Sequence, residues 1–332
     1  MTKHELFSIH KLGIDNDQLE AAQDPWPYPQ RFSEPPVLRI GPPTIGNGAQ
    51  FAALGTHIIG TCPSINEPMS LCGTLTFDTK TAKLSASRIV PRGYDTAIAV
   101  GNRLYVFESV MNKNVFLHGA LHCLVANPND DDDDRTWLPL PGPDNPPEVP
   151  FDPSCTVAHA VHPWAGTMLV STSRHAGSGT FSYDSGQWER LGDWLLPFKG
   201  HAHYDHDLAA WVGFHRQSSG IGDRNDGYLC ACRVDMSSSE PPKWEIAKEK
   251  LFLEHPHWIH VDAKLVYTGE RSKYSLVERL LRDGTDELMH VLCLTTSIVT
   301  YGEEGELRTM TDKPPRYYKA PSYRTHFDMQ AL

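Results

Sequence analysis

The sequence predicts an all-β fold built from repeated units of four strands. Short runs rich in Val, Leu, Tyr, Trp and Thr follow one another along the chain, and Gly, Asn and Asp residues separate them. Helical periodicity is almost absent, and its one candidate, Ser275–Leu281, fits a strand equally well. Many short strands separated by turn residues indicate an all-β protein.

A repeat organises these strands. Each unit starts with an alternating strand, a tight turn and a more apolar strand; the clearest copy, residues 97–107, turns at Gly101-Asn102. Further copies begin near residues 50, 157, 201 and 261, and each unit ends in a second hairpin such as residues 179–191. Four-stranded units spaced about 40 to 55 residues apart are typical of propeller blades. We therefore predict a β-propeller of five, or six, four-stranded blades, with paired β-sandwiches as the rival architecture.

The repeat predicts one propeller domain over residues 1–332. Length alone would suggest roughly two domains, but all-β folds run longer as single units. Residues 1–45 are expected to form an N-terminal arm whose segment Glu5–His10 supplies a ring-closing strand. Residues 312–332 are expected to form a C-terminal tail.

The charge balance excludes several partners. The chain has 30 Lys and Arg residues against 41 Asp and Glu residues, a formal net charge of -11. An acidic chain lacks the positive surface potential that attracts nucleic acid or an anionic membrane, so neither partner is expected. Residues 1–6 lack the apolar stretch of a secretory signal, and no window approaches a membrane span. The expected location is the cytoplasm or the nucleus.

Seven scattered cysteines do not form a disulfide framework. Cys230 and Cys232 are the only close pair, and we interpret both as structural thiols because zinc sites need about four ligands and usually a wider cysteine spacing.

Several segments together resemble a known family. They are Phe181–Asp184, Trp188, Gly192–Phe198, Leu208–Gly213, Lys264–Tyr267 and Arg316–Lys319. They resemble a large plant family, expanded in cereals, of uncharacterised kelch-like or F-box-associated propeller proteins. The resemblance covers most of the chain and is strongest from about residue 155 to 320. It implies a β-propeller and no catalytic residues. The Gly-Gly pair of typical kelch blades is missing, and no F-box-like helical segment is recognisable before the first unit, so a ubiquitin-ligase adaptor role is not expected.

A histidine group is the sharpest candidate for chemistry. His201 and His203 share one face of a strand, and the repeat alignment places His159 in the register of His201. If these strands line a central axis, the three imidazoles could bind zinc or ferrous iron. The alternative is that the histidines are solvated or hydrogen-bonded channel residues, and that Asp205 and Asp207 are turn residues.

Other polar clusters carry weaker signals. His255, His257 and His260 surround Pro256, which predicts a loop at a binding surface more than a metal site. Asp130–Asp134 reads as a hydrated hairpin tip, because its adjacent carboxylates repel one another and lack the ligand spacing and turn glycine of calcium loops. The sequence contains no nucleophile elbow, phosphate-binding loop or dinucleotide fingerprint.

The tryptophans divide into two groups. Those within the repeats are expected to pack between strands: Trp188, Trp194, Trp211 and Trp244. Trp164 and Trp258, which we place on loops, are candidate anchors for a protein partner.

Three functions remain open from the sequence. The favoured one is a non-enzymatic propeller scaffold, without a cofactor, that binds a protein or peptide on one ring face. The second is a metal-dependent enzyme or specifier-type protein with a His-lined central site. The third is a lectin-like or small-ligand binder. The first is favoured because propeller folds serve more often as binding surfaces than as enzymes. This argument is an analogy at the level of fold.

Overall fold

The chain is all-β in the part that the structure describes, which confirms the predicted class. The computed structural model describes residues 7–11, 36–40, 50–61, 73–87, 94–112, 115–126, 135–140, 149–164, 166–173, 178–216, 227–254, 258–282 and 290–319. These ranges hold 22 strands, one short 3-10 turn at Pro153–Cys155 and no α-helix. Accordingly, no helix capable of crossing a membrane occurs in the described ranges.

The strands follow one another as a short pair and then as groups of four hydrogen-bonded neighbours. The pair is β1 (Phe7–Ile9) and β2 (Leu38–Ile40). The first group is β3 (Gln50–Leu54), β4 (His57–Thr61), β5 (Thr74–Asp78) and β6 (Leu84–Ser87). The second is β7 (Tyr94–Val100), β8 (Arg103–Asn112), β9 (Val115–Ala126) and β10 (Arg135–Leu140).

Three further groups complete the described chain. The third is β11 (Thr156–Val161), β12 (Met168–Thr172), β13 (Gly179–Asp184) and β14 (Gln187–Gly192). The fourth is β15 (Gly200–Asp205), β16 (Ala210–Phe214), β17 (Tyr228–Arg233) and β18 (Lys243–Lys250). The fifth is β19 (Trp258–Tyr267), β20 (Lys273–Arg282), β21 (His290–Tyr301) and β22 (Leu307–Lys319).

The predicted repeat is confirmed at the level of these groups. Their first strands begin at residues 50, 94, 156, 200 and 258, beside the predicted starts. The third and fourth groups are joined because β11 and β15 pair in parallel.

Local turn chemistry explains the hairpin between β13 and β14. Asp184 pairs with Gln187 across a loop of two residues. Ser185 and Gly186 both have positive φ, 50° and 89°. Two positive φ angles define the type I′ turn, whose twist matches the right-handed twist of the strands that it connects.

The chain divides into two compact units, each with its own core. Unit I comprises residues 42–204 and 232–244. One of its cores packs side chains of β7–β9 and β11–β13, among them Phe107 and Phe181, together with Phe151 from the segment before the 3-10 turn. A second core contains Trp137, whose indole Nε1 donates a 2.7 Å hydrogen bond to Thr74 Oγ1. Each such buried aromatic side chain contributes roughly 2 kcal/mol through removal from water.

Unit II comprises residues 1–41, 205–231 and 245–331. Its larger core combines side chains of β16 and β17 with those of β19–β22, among them Leu229, Tyr274 and Val299. A smaller core lies within the last group of strands and contains Leu280, Val291, Cys293 and Tyr317.

Two segment predictions are resolved in unit II. Ser275–Leu281 lies within β20 and is a strand. The predicted start of the C-terminal tail at residue 312 is too early, because β22 continues to Lys319. Pro314 and Pro315 are tolerated within it because β22 is an edge strand with register shifts opposite β21.

The N-terminal strand prediction is confirmed in part. Phe7–Ile9 forms β1 and pairs antiparallel with Leu38–Ile40. Whether this pair closes a ring stays a prediction.

Most repeat tryptophans pack as predicted. Trp188 packs against the aromatic core of unit I, and Trp211 is buried in β16. Trp194 is half-buried, and its Nε1 donates a 3.0 Å hydrogen bond to the carbonyl of Ser239. The prediction is wrong for Trp244, which is 46% exposed, because β18 is the edge strand of its sheet and its first four residues are all exposed.

Candidate functional site

Parallel pairing of β11 with β15 brings the predicted histidines together. The paired residues are Ala158 with Gly200, His159 with His201, and Ala160 with Ala202. The shared register of His159 and His201, predicted from the repeat, is therefore confirmed. The alanines Ala158, Ala160 and Ala202 are fully buried, while the alternating positions direct the histidines to the more open face.

The imidazoles form a row on that face. The rings of His159 and His201 are stacked, with centroids 4.8 Å apart and planes inclined by 13°. The rings of His201 and His203 are 4.3 Å apart and inclined by 53°. His201 is exposed and the other two are half-buried. The row is thus open to solvent at His201 and partly open at His159 and His203.

Stacking limits the use of this row as a metal centre. Imidazole lone pairs lie in the ring plane, so two nearly parallel rings direct their nitrogens side by side and not toward one point. In the described ranges, no three His, Cys, Asp or Glu side chains are grouped so that they could hold a metal ion. Metal binding by His159, His201 and His203 would therefore require rotation of the rings.

Three further aromatic rings lie at the ends of the same two strands. Trp164, in the turn after β11, is 70% exposed, which agrees with its predicted exposure. Its ring centroid lies 5.2 Å from that of Tyr204 and 5.6 Å from that of His162, both in edge-to-face geometry. His162 and Tyr204 are 6.1 Å apart. We call these three residues, all of which lie in unit I, the aromatic patch. Strand alternation places Tyr204 on the opposite face of β15 from His201 and His203, so the patch is separate from the imidazole row.

Trp258 does not occupy the exposed loop predicted for it. It is the first residue of β19, is half-buried, and packs against the core formed by Leu280, Val291, Cys293 and Tyr317. The loop prediction failed because Pro256 suggested a break, whereas the strand begins two residues later. His255 and His257 lie outside the described residues.

His260 belongs to a buried ionisable pair that the sequence analysis did not identify. Its Nδ1 lies 2.9 Å from Oε1 of Glu278, whose side chain is almost fully buried. The amide of Leu253 donates to the other Glu278 oxygen at 3.1 Å, and the Phe252 ring stacks on the imidazole at 4.0 Å. The available signal was a carboxylate flanked by Leu276-Val277 and by Leu280-Leu281.

Asp205 is a structural residue, as the turn interpretation predicted. Its buried Oδ1 accepts hydrogen bonds from the amides of Asp207 and Leu208 at 3.0 and 3.1 Å. Ser272 and Tyr274 of the fifth group also donate to this carboxylate, at 2.9 and 2.8 Å. The Tyr274 phenol has a pKa well above its ordinary value, because burial and the adjacent carboxylate disfavour the phenolate.

The close cysteine pair also behaves as predicted. Cys230 and Cys232 are fully buried and reduced in β17. Burial raises the pKa of the Cys232 thiol to about 12. This thiol is therefore unsuited to nucleophilic or metal-binding chemistry near neutral pH.

The acidic run Asp130–Asp134 lies outside the described residues. The strands on either side of it, β9 and β10, pair antiparallel from Ala126 opposite Arg135 onward. The predicted hairpin is therefore present, and the solvated tip stays a prediction.

Comparison with known proteins gives one family. A family model described as "Protein of unknown function (DUF1668)" matches residues 2–318. A search of curated proteins found no match to the chain.

Proposed function

The chain therefore belongs to the DUF1668 family, and we propose that it is a non-enzymatic scaffold that binds a protein or peptide partner at the aromatic patch. The observation that carries the proposal is the position of Trp164. A tryptophan that is 70% exposed and supported by two neighbouring rings is costly to leave in water. Rigid, exposed tryptophans are the residue type that most often supplies binding energy at protein interfaces.

The fold proposed for this scaffold is a β-propeller with five blades. Successive groups of four strands support it, as does the parallel pairing of the first strands β11 and β15. The innermost strands of neighbouring blades lie side by side in this way around an axis. Resemblance to kelch-like and F-box-associated proteins is part of the same proposal.

In this arrangement the aromatic patch lies on the first strand β15 and on the turn that follows the first strand β11. Residues at such positions face the central channel and one ring face of a propeller. The patch offers ring surface from three neighbouring side chains, Trp164, His162 and Tyr204. It is therefore suited to a peptide segment or loop of a partner protein.

Photo-cross-linking at position 164 tests the proposal. A benzoylphenylalanine replaces Trp164, and in a matched protein it replaces Trp244, which is also exposed but lies on β18. Both proteins are irradiated in an extract of the source tissue, and the cross-linked peptides are identified by mass spectrometry. We expect one reproducible partner from position 164 that is absent at position 244 and is competed by the unmodified protein. Equal recovery at both positions, or no reproducible adduct at position 164, contradicts the proposal.

A metal-dependent function is the second candidate, because His159, His201 and His203 are adjacent. Metal analysis of protein purified without a histidine tag tests it. The candidate predicts zinc or iron at about one ion per chain and its loss in His201→Ala. A metal content that is negligible and unchanged by the substitution rejects this candidate and leaves the scaffold proposal intact.

A further inference from the structure

We infer that the partner group bound by the aromatic patch is a cationic side chain, arginine or lysine, placed over the indole of Trp164. This inference rests on the proposed function and adds the chemistry of the partner to it. Cations are attracted to the negative face of an aromatic ring, and indole is the strongest such acceptor among side chains.

The ring geometry supplies the first argument. Trp164 contacts Tyr204 and His162 at interplanar angles of 70° and 64°. Edge-to-face contacts of this kind hold a ring in place. The 70% exposure shows that most of the indole surface remains open to a partner. The indole is thus held in place and its aromatic surface is accessible.

Charge supplies the second argument. The segments that form the patch, residues 156–167 and 200–204, contain no Lys or Arg. A partner cation therefore meets no fixed positive charge from these segments, and the chain as a whole carries a net charge of -11. An excess of negative charge raises the local concentration of cationic partners and speeds their association.

The same composition disfavours an anionic partner. Carboxylates and phosphates are recognised by Arg and Lys, which these two segments lack. The arrangement therefore favours a cation over an acidic peptide.

Peptides that differ only in charge test the inference at pH 8 and 150 mM salt. The probes are capped eight-residue peptides of alternating Gly and Arg, Gly and citrulline, or Gly and Glu. Citrulline keeps the planar shape of arginine and lacks its charge. The readout is the indole N–H resonance of Trp164 in a ¹⁵N-labelled sample, assigned by its disappearance in Trp164→Ala. Calorimetry gives the dissociation constants.

We expect the arginine peptide to shift the Trp164 resonance and to bind more tightly than the citrulline peptide. Trp164→Ala should weaken arginine-peptide binding by about 5- to 30-fold, the range of a cation–π contact. Trp164→Phe should retain part of the affinity, and Trp244→Ala should leave it unchanged. Equal binding of the arginine and citrulline peptides, preferential binding of the Glu peptide, or an unaffected Trp164→Ala variant overturns the inference. If the cross-linked partner at position 164 is nevertheless reproducible, the scaffold proposal stands and only its cationic chemistry is rejected.

Discussion

The phenol of Tyr274 donates a 2.8 Å hydrogen bond to the fully buried carboxylate of Asp205, 69 residues earlier in the chain. The same carboxylate accepts two backbone amides of its own turn and the hydroxyl of Ser272. A buried carboxylate is stable only when its oxygens are paired in this way. Asp205 therefore connects the turn after β15 to the turn before β20 within unit II.

Replacing Asp205 is expected to destabilise the protein in a graded manner. Asp205→Ala leaves buried donors without an acceptor and should lower the free energy of unfolding by roughly 3 kcal/mol or more. Asp205→Asn keeps one acceptor oxygen, and its amide can donate to the Tyr274 oxygen, so its cost should be about 1 kcal/mol. Urea denaturation followed by tryptophan fluorescence measures both values.

The adjacent exposed carboxylate provides the control. Asp207→Ala should change the free energy of unfolding by no more than about 0.5 kcal/mol, as most surface substitutions do. If Asp205→Ala is as mild as Asp207→Ala, the carboxylate does not stabilise the turns.

Gly227 is expected to be irreplaceable because its Cβ position is occupied. Its φ is +101°, and a Cβ there would collide with the ring of Phe252, which itself packs between Phe214 and His260. Gly227→Ala should therefore cost roughly 3 kcal/mol, from backbone strain and overpacking together. Gly55→Ala, at φ +58° with open space around it, should cost only about 1 kcal/mol. Equal shifts of the urea midpoint would show that Phe252 moves aside without cost.

The sequence was sufficient for features that depend on local pattern. Alternation and turn residues predict the starts of the groups, and the same repeat predicts that His159 and His201 share a register. Such predictions succeed because strand period and hairpin chemistry act over a few residues.

Features that depend on distant partners could not be predicted. The contact between Glu278 and His260 requires the register of β19 with β20, which a bulge between His260 and Asp262 shifts. Trp258 packs against a core of Leu280, Val291, Cys293 and Tyr317, which lie far apart in the chain and meet through the pairing of β20, β21 and β22. A single sequence shows which residue types are available for these contacts. It does not show the strand register that brings them together.

The His260–Glu278 pair is expected to hold the segment that follows β18. The Leu253 amide donates to Glu278, and Phe252 stacks on His260. His260→Ala should therefore speed hydrogen exchange at the Leu253 amide by about 10-fold or more, since loss of the ring removes one support of the segment. His122→Ala, which breaks the comparable contact with Glu108 in unit I, is the control and should leave this amide unchanged. Unaltered exchange at Leu253 in His260→Ala would contradict this role.

The thiols are expected to react in an order set by burial. Cys123, Cys230, Cys232 and Cys293 are almost fully buried, whereas Cys155 is only half-buried. Burial raises the pKa of Cys123 to about 11 and those of Cys232 and Cys293 to about 12. Iodoacetamide at pH 8 should therefore label Cys155 at least about 10-fold faster than the buried four, as measured by peptide mapping. In guanidinium chloride these five described thiols should react at similar rates. If Cys232 of the native protein is labelled as fast as Cys155, the buried position of β17 is contradicted.

Alkaline pH is expected to destabilise unit I through Tyr183. Burial raises the pKa of this phenol to about 12, and the neighbouring Tyr105 and Cys123 add to the effect when ionised. The unfolded chain loses the Tyr proton near pH 10, so the contribution to stability is complete below pH 10 and is lost as the pH rises toward 12. Between pH 9 and pH 11 this group should lower the free energy of unfolding by about 1 kcal/mol. Tyr183→Phe should abolish that part of the pH dependence. Urea denaturation at each pH measures the free energy of unfolding of Tyr183→Phe and of the wild type, and the loss between pH 9 and pH 11 should be smaller in the variant. If the free energy of unfolding depends on pH identically in Tyr183→Phe and in the wild type, the surrounding core does not raise the pKa of this phenol.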